Sequence, residues 1–171
     1  YNVSHTLIAS TSSVYGSNTE MPFEEIQKTE TQMSFYAATK KSCEIMSHSY
    51  SHIHNLPSTN FRFFTVYGPW GRPDMALFKF VKAMKENKPI DVYNNGLMKR
   101  DFTYVTDLVK AISLLINCIP KKGIKKIESD SLSPIAPWRV VNIGNSDTQN
   151  LSDFISEIEN NLNSKANKNF M

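Results

Sequence analysis

Tyr36 and Lys40 are the residues whose types and spacing point most directly to chemistry. Residues four apart lie on the same face of a helix, so the phenol and the ammonium group can point into one cleft. An adjacent cation favours the phenolate form of a tyrosine, which can then act as a base. This spacing also arises by chance, so the pair predicts a proton-transfer site only together with other features.

A hydroxyl-rich segment supplies such a feature. Ser10-Thr11-Ser12-Ser13-Val14-Tyr15-Gly16 follows an apolar run at residues 6–9. The apolar run is typical of a buried parallel strand, here ending in a turn. Open α/β sheets bind ligands at the carboxyl ends of their strands. We therefore expect the hydroxyls of this turn to lie at a ligand-binding edge.

Together these segments resemble the extended short-chain dehydrogenase/reductase family of nucleotide-sugar enzymes, the NAD-dependent epimerases and dehydratases. Thr11 precedes Tyr36 by 25 residues, and the resemblance extends over residues 7–162. It implies an α/β fold: the C-terminal half of a doubly wound Rossmann-like parallel sheet plus part of a small substrate-binding domain. It also implies that Thr11, Tyr36 and Lys40 are catalytic, and that Tyr36, Lys40 and Phe63 contact NAD.

Three further segments, 62–76, 100–105 and 137–145, resemble the UDP-glucuronate 4-epimerase branch of this family. The implied reaction is NAD-dependent C4 epimerisation of UDP-glucuronate to UDP-galacturonate through a 4-keto intermediate. By the same resemblance, Arg100 grips the UDP diphosphate, which suits the forked donors of a guanidinium. Arg72 is a second candidate for the nucleotide end. Thr106 departs from the branch, which often carries Asp or Glu there, and we expect this change to be silent.

Ser12 and Ser13 separate this branch from its relatives. Family members that dehydrate a hexose carry Asp and Glu at these two positions, and relatives that decarboxylate UDP-glucuronate carry Glu at the second. This chain has hydroxyls instead. We expect Thr11, Ser12, Ser13 and Thr65 to hold the substrate carboxylate by neutral hydrogen bonds, which would suppress loss of CO2 from the β-keto acid intermediate.

Composition favours an ordinary soluble globular protein. The chain has 171 residues, 40% of them hydrophobic, and a formal net charge of only +3. No dense basic run indicates a nucleic-acid partner, and we interpret residues 121–126 as a solvated loop. His48 and His52 lie one helical turn apart without a matching acid or cysteine cluster, so we predict no metal site. Two cysteines without metal spacing, no apolar run of transmembrane length and no signal peptide favour the cytoplasm and no membrane partner.

The chain lacks the glycine-rich turn on which a dinucleotide pyrophosphate rests. It also begins with Tyr1, and we interpret it as an internal fragment, inactive by itself. We expect residues 1–66 to be the second half of the NAD-binding domain and residues 67–171 to be mainly substrate-binding, with elements returning to the sheet. The resemblance implies a homodimer packed through the helix that carries Tyr36.

Two alternatives stay open. A sister epimerase acting on UDP-galactose or an N-acetylhexosamine would use the same chemistry without a substrate carboxylate. A truncated chain could bind a nucleotide sugar and catalyse nothing.

Hydrophobic periodicity predicts helices at residues 34–55, 75–87, 105–117 and 151–162, and strands at 59–64, 90–93, 99–105 and 138–143. Residues 17–32 are polar and are expected to form a surface loop. For the first helix, the predicted buried side consists of Ala37, Ala38, Lys41, Ile45 and Met46.

Overall fold

The structure is a computed structural model that describes residues 3–125 and 127–171. The described residues form two compact units. The first unit comprises the chain up to residue 64 together with 106–144, and the second comprises 65–105 and 145–171. The predicted division at residue 66 assigns the cofactor to one portion of the chain and the substrate to the other. The two compact units do not test what each portion binds, so this division stays a prediction. Two predictions involve residues outside the described ones. Tyr1 contributed to the interpretation as an internal fragment, and Lys126 is the last residue of the predicted solvated loop at 121–126.

The helices and strands follow one another in α/β order. The helices are α1 (Phe35–His54), α2 (Ala76–Lys85), α3 (Val105–Ile116) and α4 (Leu151–Leu162). The strands are β1 (Thr6–Thr11), β2 (Ser58–Phe63), β3 (Thr65–Tyr67), β4 (Ile90–Val92), β5 (Lys99–Tyr104), β6 (Trp138–Ile143), β7 (Thr148–Asn150) and β8 (Lys168–Phe170). Single 3-10 turns cover Ser12–Tyr15 and Tyr93–Gly96.

The first unit contains a parallel three-stranded sheet in the order β1-β2-β6. Thr11, Phe63 and Ile143 are register partners, so all three strands end at the same edge. The central strand β2 is buried from Ser58 to Arg62. Helix α1 connects β1 to β2, and it begins where the Ser34 side chain accepts a hydrogen bond from the Ala37 N–H. This parallel sheet confirms the predicted α/β class.

The buried side of α1 differs from the predicted one. Ala37 is buried, but Ile45 and Met46 are each 60% exposed, so the prediction was wrong for these two residues. Glu44 and Ser47 are buried instead. The reason is that β2 presents polar side chains to the helix, and buried polar groups require hydrogen-bond partners. Apolar periodicity therefore indicated the wrong side of α1.

The second unit has two small sheets and an apolar core. Strand β5 pairs in parallel with β3 and antiparallel with β7, while β4 pairs in parallel with β8. The core consists of side chains from α2, β4 and α4, namely Phe80, Met84, Ile90, Val92, Ile155 and Ile158. Helix α2 contributes Phe80 and Met84 to this core.

The predicted helices all form, with ends within two residues of expectation. The loop at residues 17–32 contains neither helix nor strand. Strand β1 runs through Ser10 and Thr11, beyond the apolar run, because both residues pair with β2. Strands β3, β7 and β8 were not predicted, since the three residues of each show no alternation of apolar and polar residues. No helix in the described part of the chain is long and apolar enough to cross a membrane.

Glu159 holds the segment after α4 in place. Its side chain is buried, and its carboxylate accepts a hydrogen bond from the Ala166 N–H at 3.0 Å. It also pairs with Lys165 and Lys168, each at 3.0 Å. These bonds, the Ala166 N–H first, lower the pKa of Glu159 from 4.5 to about 2. Lys168 opens β8, so the carboxylate fixes the strand that pairs with β4.

We expect Glu159→Gln to lower the free energy of unfolding of the full-length protein by roughly 1–2 kcal/mol at pH 7, because a buried acceptor loses its charge. The pKa of Glu159 is lowered in the folded state, so its contribution is complete above pH 4.5 and disappears as the pH falls towards 2. Denaturant unfolding of both proteins from pH 7 to pH 2 measures this difference. Glu157→Gln, on the exposed side of α4, is the control. A difference that stays constant with pH would contradict the prediction.

Candidate active site

Tyr36 and Lys40 lie one turn apart in the first turns of α1. The Tyr36 side chain is 54% exposed and is therefore accessible to a ligand. The Lys40 ammonium donates a hydrogen bond to the carbonyl oxygen of Ala9 at 3.1 Å. This bond places the cation beside β1, two residues before Thr11.

The predicted hydroxyl cluster forms at the carboxyl end of β1. Thr11 is the last residue of the strand, and its Oγ1 accepts a hydrogen bond from the Ser13 N–H at 3.2 Å. The Thr11 and Ser13 hydroxyls are also 3.2 Å apart. Helix α1 packs against both β1 and the Ser12–Tyr15 turn. The first unit therefore brings Thr11, Ser12, Ser13 and the helix carrying Tyr36 together.

The Tyr15-Gly16 pair that follows has a structural explanation. Tyr15 is buried, stacks on Phe23 with ring centroids 4.4 Å apart, and donates a hydrogen bond to Asn142 at 2.7 Å. Burial raises the pKa of Tyr15, against the opposing charge of Arg62. Gly16 has φ +59°, and a Cβ there would lie 1.9 Å from the Thr31 carbonyl oxygen. Glycine is therefore needed where the surface loop packs on the turn.

Beneath these residues lies a buried ion pair that the sequence reasoning missed. The Glu44 carboxylate accepts hydrogen bonds from Nε and Nη2 of Arg62, both at 2.9 Å, and one from the Ser10 hydroxyl at 2.7 Å. Burial alone would raise the pKa of Glu44, but the Arg62 hydrogen bonds and charge, with help from Ser10, hold it below its usual value. Two signals could have indicated the pair. Arg62 lies between two phenylalanines of the predicted strand at 59–64, and Glu44 continues the four-residue spacing of Tyr36 and Lys40.

The remaining predicted substrate residues belong to the second unit. Thr65 opens β3, and together with Arg72 it lines a small, mainly apolar cavity of about 50 Å3. The Arg72 guanidinium donates to the Asp74 carboxylate, with Nε to Oδ1 at 3.0 Å. Arg100 is exposed on β5, the strand that pairs with β3. The second unit thus brings Thr65 and Arg72 to one cavity, and Arg100 is not among the residues that line it.

Asp101, next to Arg100, is a second residue that sequence reasoning missed. Its carboxylate accepts hydrogen bonds from the N–H groups of Asn145 and Ser146, each at 2.8 Å. Ser146 has a positive φ of 58°, so the loop there has an unusual backbone conformation. Asp101 therefore ties this loop to the strand that carries Arg100.

A comparison with family models identifies the chain. Residues 1–127 match the model described as the NAD dependent epimerase/dehydratase family. The chain belongs to this family. The predicted family resemblance is therefore confirmed.

Similar proteins of known sequence and structure agree with this assignment. Protein CapI of Staphylococcus aureus is 53% identical over 100% of this chain and 52% of its own length. A probable UDP-glucuronate 4-epimerase of Rhizobium meliloti is 51% identical over 91% of this chain and 46% of its own length. Among solved structures, UDP-glucuronic acid 4-epimerase from Bacillus cereus, in complex with UDP-glucuronic acid and NAD, superimposes with a TM-score of 0.82 at 32% identity. The match covers 100% of this chain and 49% of that one. The chain thus spans about half the length of these relatives.

Proposed function

We propose that the protein catalyses NAD-dependent C4 epimerisation of UDP-glucuronate to UDP-galacturonate through a 4-keto intermediate. The observation that carries this proposal is the end of β1, where hydroxyls occupy residues 11–13 and the Tyr36-Lys40 helix packs directly against them. The B. cereus 4-epimerase in complex with UDP-glucuronic acid and NAD supports the same reaction. Because the chain spans about half of its relatives, the activity is proposed for the full-length protein.

The donor set around β1 fits the nicotinamide end of NAD. Tyr36 is exposed, Lys40 lies beside β1, and half-buried Phe63 is the register partner of Thr11 at the same sheet edge. We assign Tyr36 and Lys40 to the nicotinamide ribose and Phe63 to a cofactor contact. When bound, NAD supplies the hydride acceptor and donor for C4.

The chain's own residues move the proton. The Tyr36 phenolate takes the proton of the sugar 4-OH, and the same proton returns to that oxygen when the opposite face of C4 has been reduced. The Thr11 hydroxyl hydrogen-bonds the 4-oxygen and keeps it near the phenol. The Lys40 ammonium stabilises the phenolate electrostatically.

The hydroxyls hold the part of the sugar that defines the substrate. We assign Ser12 and Ser13 to the C6 carboxylate, since neutral donors bind an anion without adding a proton donor for elimination. Thr65 is proposed as a further substrate-binding residue. A fixed carboxylate is also less free to reach the geometry in which the 4-keto acid loses CO2. Arg100 is assigned to the UDP diphosphate, and Arg72 is a second contact for the nucleotide end.

We further propose a cytoplasmic homodimer that packs through α1. Support comes from apolar side chains of α1 that are at least 60% exposed in the described structure, namely Phe35, Ile45, Met46, Tyr50 and Ile53. Exposed apolar clusters of this kind mark association surfaces. No nucleic-acid or membrane partner is proposed.

The two alternatives lead to different experimental results. An epimerase for UDP-galactose or an N-acetylhexosamine would bind UDP-glucose at least as tightly as UDP-glucuronate, so competition between these two nucleotide sugars separates it from the proposal. A non-catalytic chain would be purified as a 19.5 kDa species without NAD. The proposal expects a heavier species with about one NAD per subunit, which mass spectrometry and NAD extraction measure.

We expect Tyr36→Phe in the full-length protein to lower kcat for C4 epimerisation by about 100-fold or more, because the phenol oxygen carries the proton. Tyr93→Phe, which removes an exposed hydroxyl from a residue without an assigned role, is the control and should leave kcat unchanged. Coupled detection of UDP-galacturonate measures both. Activity of Tyr36→Phe within tenfold of wild type would rule out the assigned role.

Replacing Ser12 and Ser13 together by Ala should raise KM for UDP-glucuronate roughly tenfold or more, since hydrogen bonds to a charged group contribute about 1.5–3 kcal/mol each. The same variant should release more CO2 per turnover than wild type. Steady-state kinetics and trapping of labelled CO2 test both effects, with Ser17→Ala in the adjacent loop as control. Unchanged KM and unchanged CO2 release would show that these hydroxyls do not hold the carboxylate.

A further inference from the structure

The Ser10–Glu44–Arg62 network in the first unit is not used by any role assigned above. Glu44 is 1% exposed, Arg62 2% and Ser10 3%. The guanidinium binds the carboxylate through two nitrogens, and the Ser10 hydroxyl binds the same oxygen as Arg62 Nε. A two-pronged contact of this kind fixes orientation as well as distance.

The network connects the three elements that carry the candidate site. Ser10 immediately precedes Thr11 on β1, and Arg62 immediately precedes Phe63 on β2. Glu44 lies on α1, one turn beyond Lys40 and two turns beyond Tyr36. Any shift of α1 along β1 would therefore break hydrogen bonds to Glu44.

Two consecutive residues of β1 are held by the same face of α1. Lys40 donates to the Ala9 carbonyl oxygen at 3.1 Å, and Glu44 accepts from the Ser10 hydroxyl at 2.7 Å. With one such bond, α1 could still rotate about it relative to β1. Two bonds to adjacent residues restrict both rotation and sliding of α1 along β1. Thr11 is the next residue of the strand.

Arg62 also contacts the hydroxyl turn from below. Its guanidinium carbon lies 4.8 Å from the centre of the Tyr15 ring, a cation–π contact. Its Nη1 donates to the Glu25 carbonyl oxygen at 3.3 Å. The residue that orients Glu44 thus also supports the turn that contains Ser12 and Ser13.

We propose that Ser10, Glu44 and Arg62 are positioning residues that set the location of the Thr11 hydroxyl relative to Tyr36 and Lys40. None of the three contacts the reacting atoms. The proposal rests on the proposed function, in which Thr11 and Tyr36 act on one oxygen. Misplacement by about 1 Å can cost on the order of 100-fold in rate, so a network that fixes this spacing controls kcat.

The decisive variant is Ser10→Ala in the full-length protein. It removes one hydrogen bond to Glu44 and leaves the Glu44–Arg62 pair intact. We expect kcat for C4 epimerisation to fall about tenfold with KM within twofold of wild type. Ser10→Thr restores a hydroxyl and should recover most of the loss.

Ser47→Ala is the matched control. Ser47 is also buried on α1. Its hydroxyl donates to the main-chain carbonyl oxygen of Glu44 at 2.8 Å, not to the Glu44 carboxylate, and accepts from Asn60 Nδ2 at 3.0 Å and from Trp138 Nε1 at 2.9 Å. It has no bond to β1 among the described contacts. Ser47→Ala should lower thermal stability as much as Ser10→Ala does but leave kcat within twofold of wild type.

Hydrogen–deuterium exchange supplies a measurement that does not depend on activity. The amides of residues 11–13 should exchange at least tenfold faster in Ser10→Ala than in wild type, and at the wild-type rate in Ser47→Ala. Unchanged exchange, or equal kcat in the two alanine variants, would overturn the positioning role. If Ser10→Ala exchanges faster than wild type but the wild-type protein itself does not act on UDP-glucuronate, the positioning of β1 is upheld and the proposed reaction is rejected.

Discussion

The buried ion pair between Glu44 and Arg62 is the interaction on which the first unit depends. Taking two charges out of water costs several kcal/mol per ion, and removing one partner of such a pair typically destabilises a protein by about 3–5 kcal/mol. Here the cost is offset by two nitrogen contacts from Arg62 and a hydroxyl from Ser10. An apolar contact could hold α1 against the sheet equally firmly, but it would not specify where along the strand the helix sits.

This polar interior explains several features of the first unit together. Side chains from β1, β2 and α1 that would be apolar in an ordinary parallel sheet are here Ser, Thr, Asn, Glu and Arg, and they are buried. The polar side of α1 faces inward as a result, and Ile45 and Met46 face outward. The second unit is built differently, around Phe80, Ile155 and their apolar neighbours. The candidate proton-transfer residues thus lie on the unit whose geometry is set by directional bonds.

The sequence predicted the four helices and the longer strands well, because these depend on local patterns. The catalytic roles of Thr11, Tyr36 and Lys40 stay a prediction. The helices followed from hydrophobic periodicity, and the placement of Tyr36 and Lys40 one turn apart followed from their four-residue spacing. The buried side of α1 could not be predicted, because it is determined by Arg62, which is distant in sequence. The hydrogen bonds of Asp101 to the loop at Asn145 and the pairing of β8 with β4 likewise join residues far apart in the chain. Each depends on tertiary contacts that no local window contains.

The most direct test of the account uses UDP-glucuronate that carries deuterium at C4, incubated with the full-length protein. The proposed mechanism removes that deuterium as a hydride and returns it to the same carbon. UDP-galacturonate should therefore form with the deuterium retained at C4, which mass spectrometry and proton NMR both detect. Loss of the deuterium to solvent, or the absence of UDP-galacturonate from a preparation that contains NAD, would contradict the proposed function.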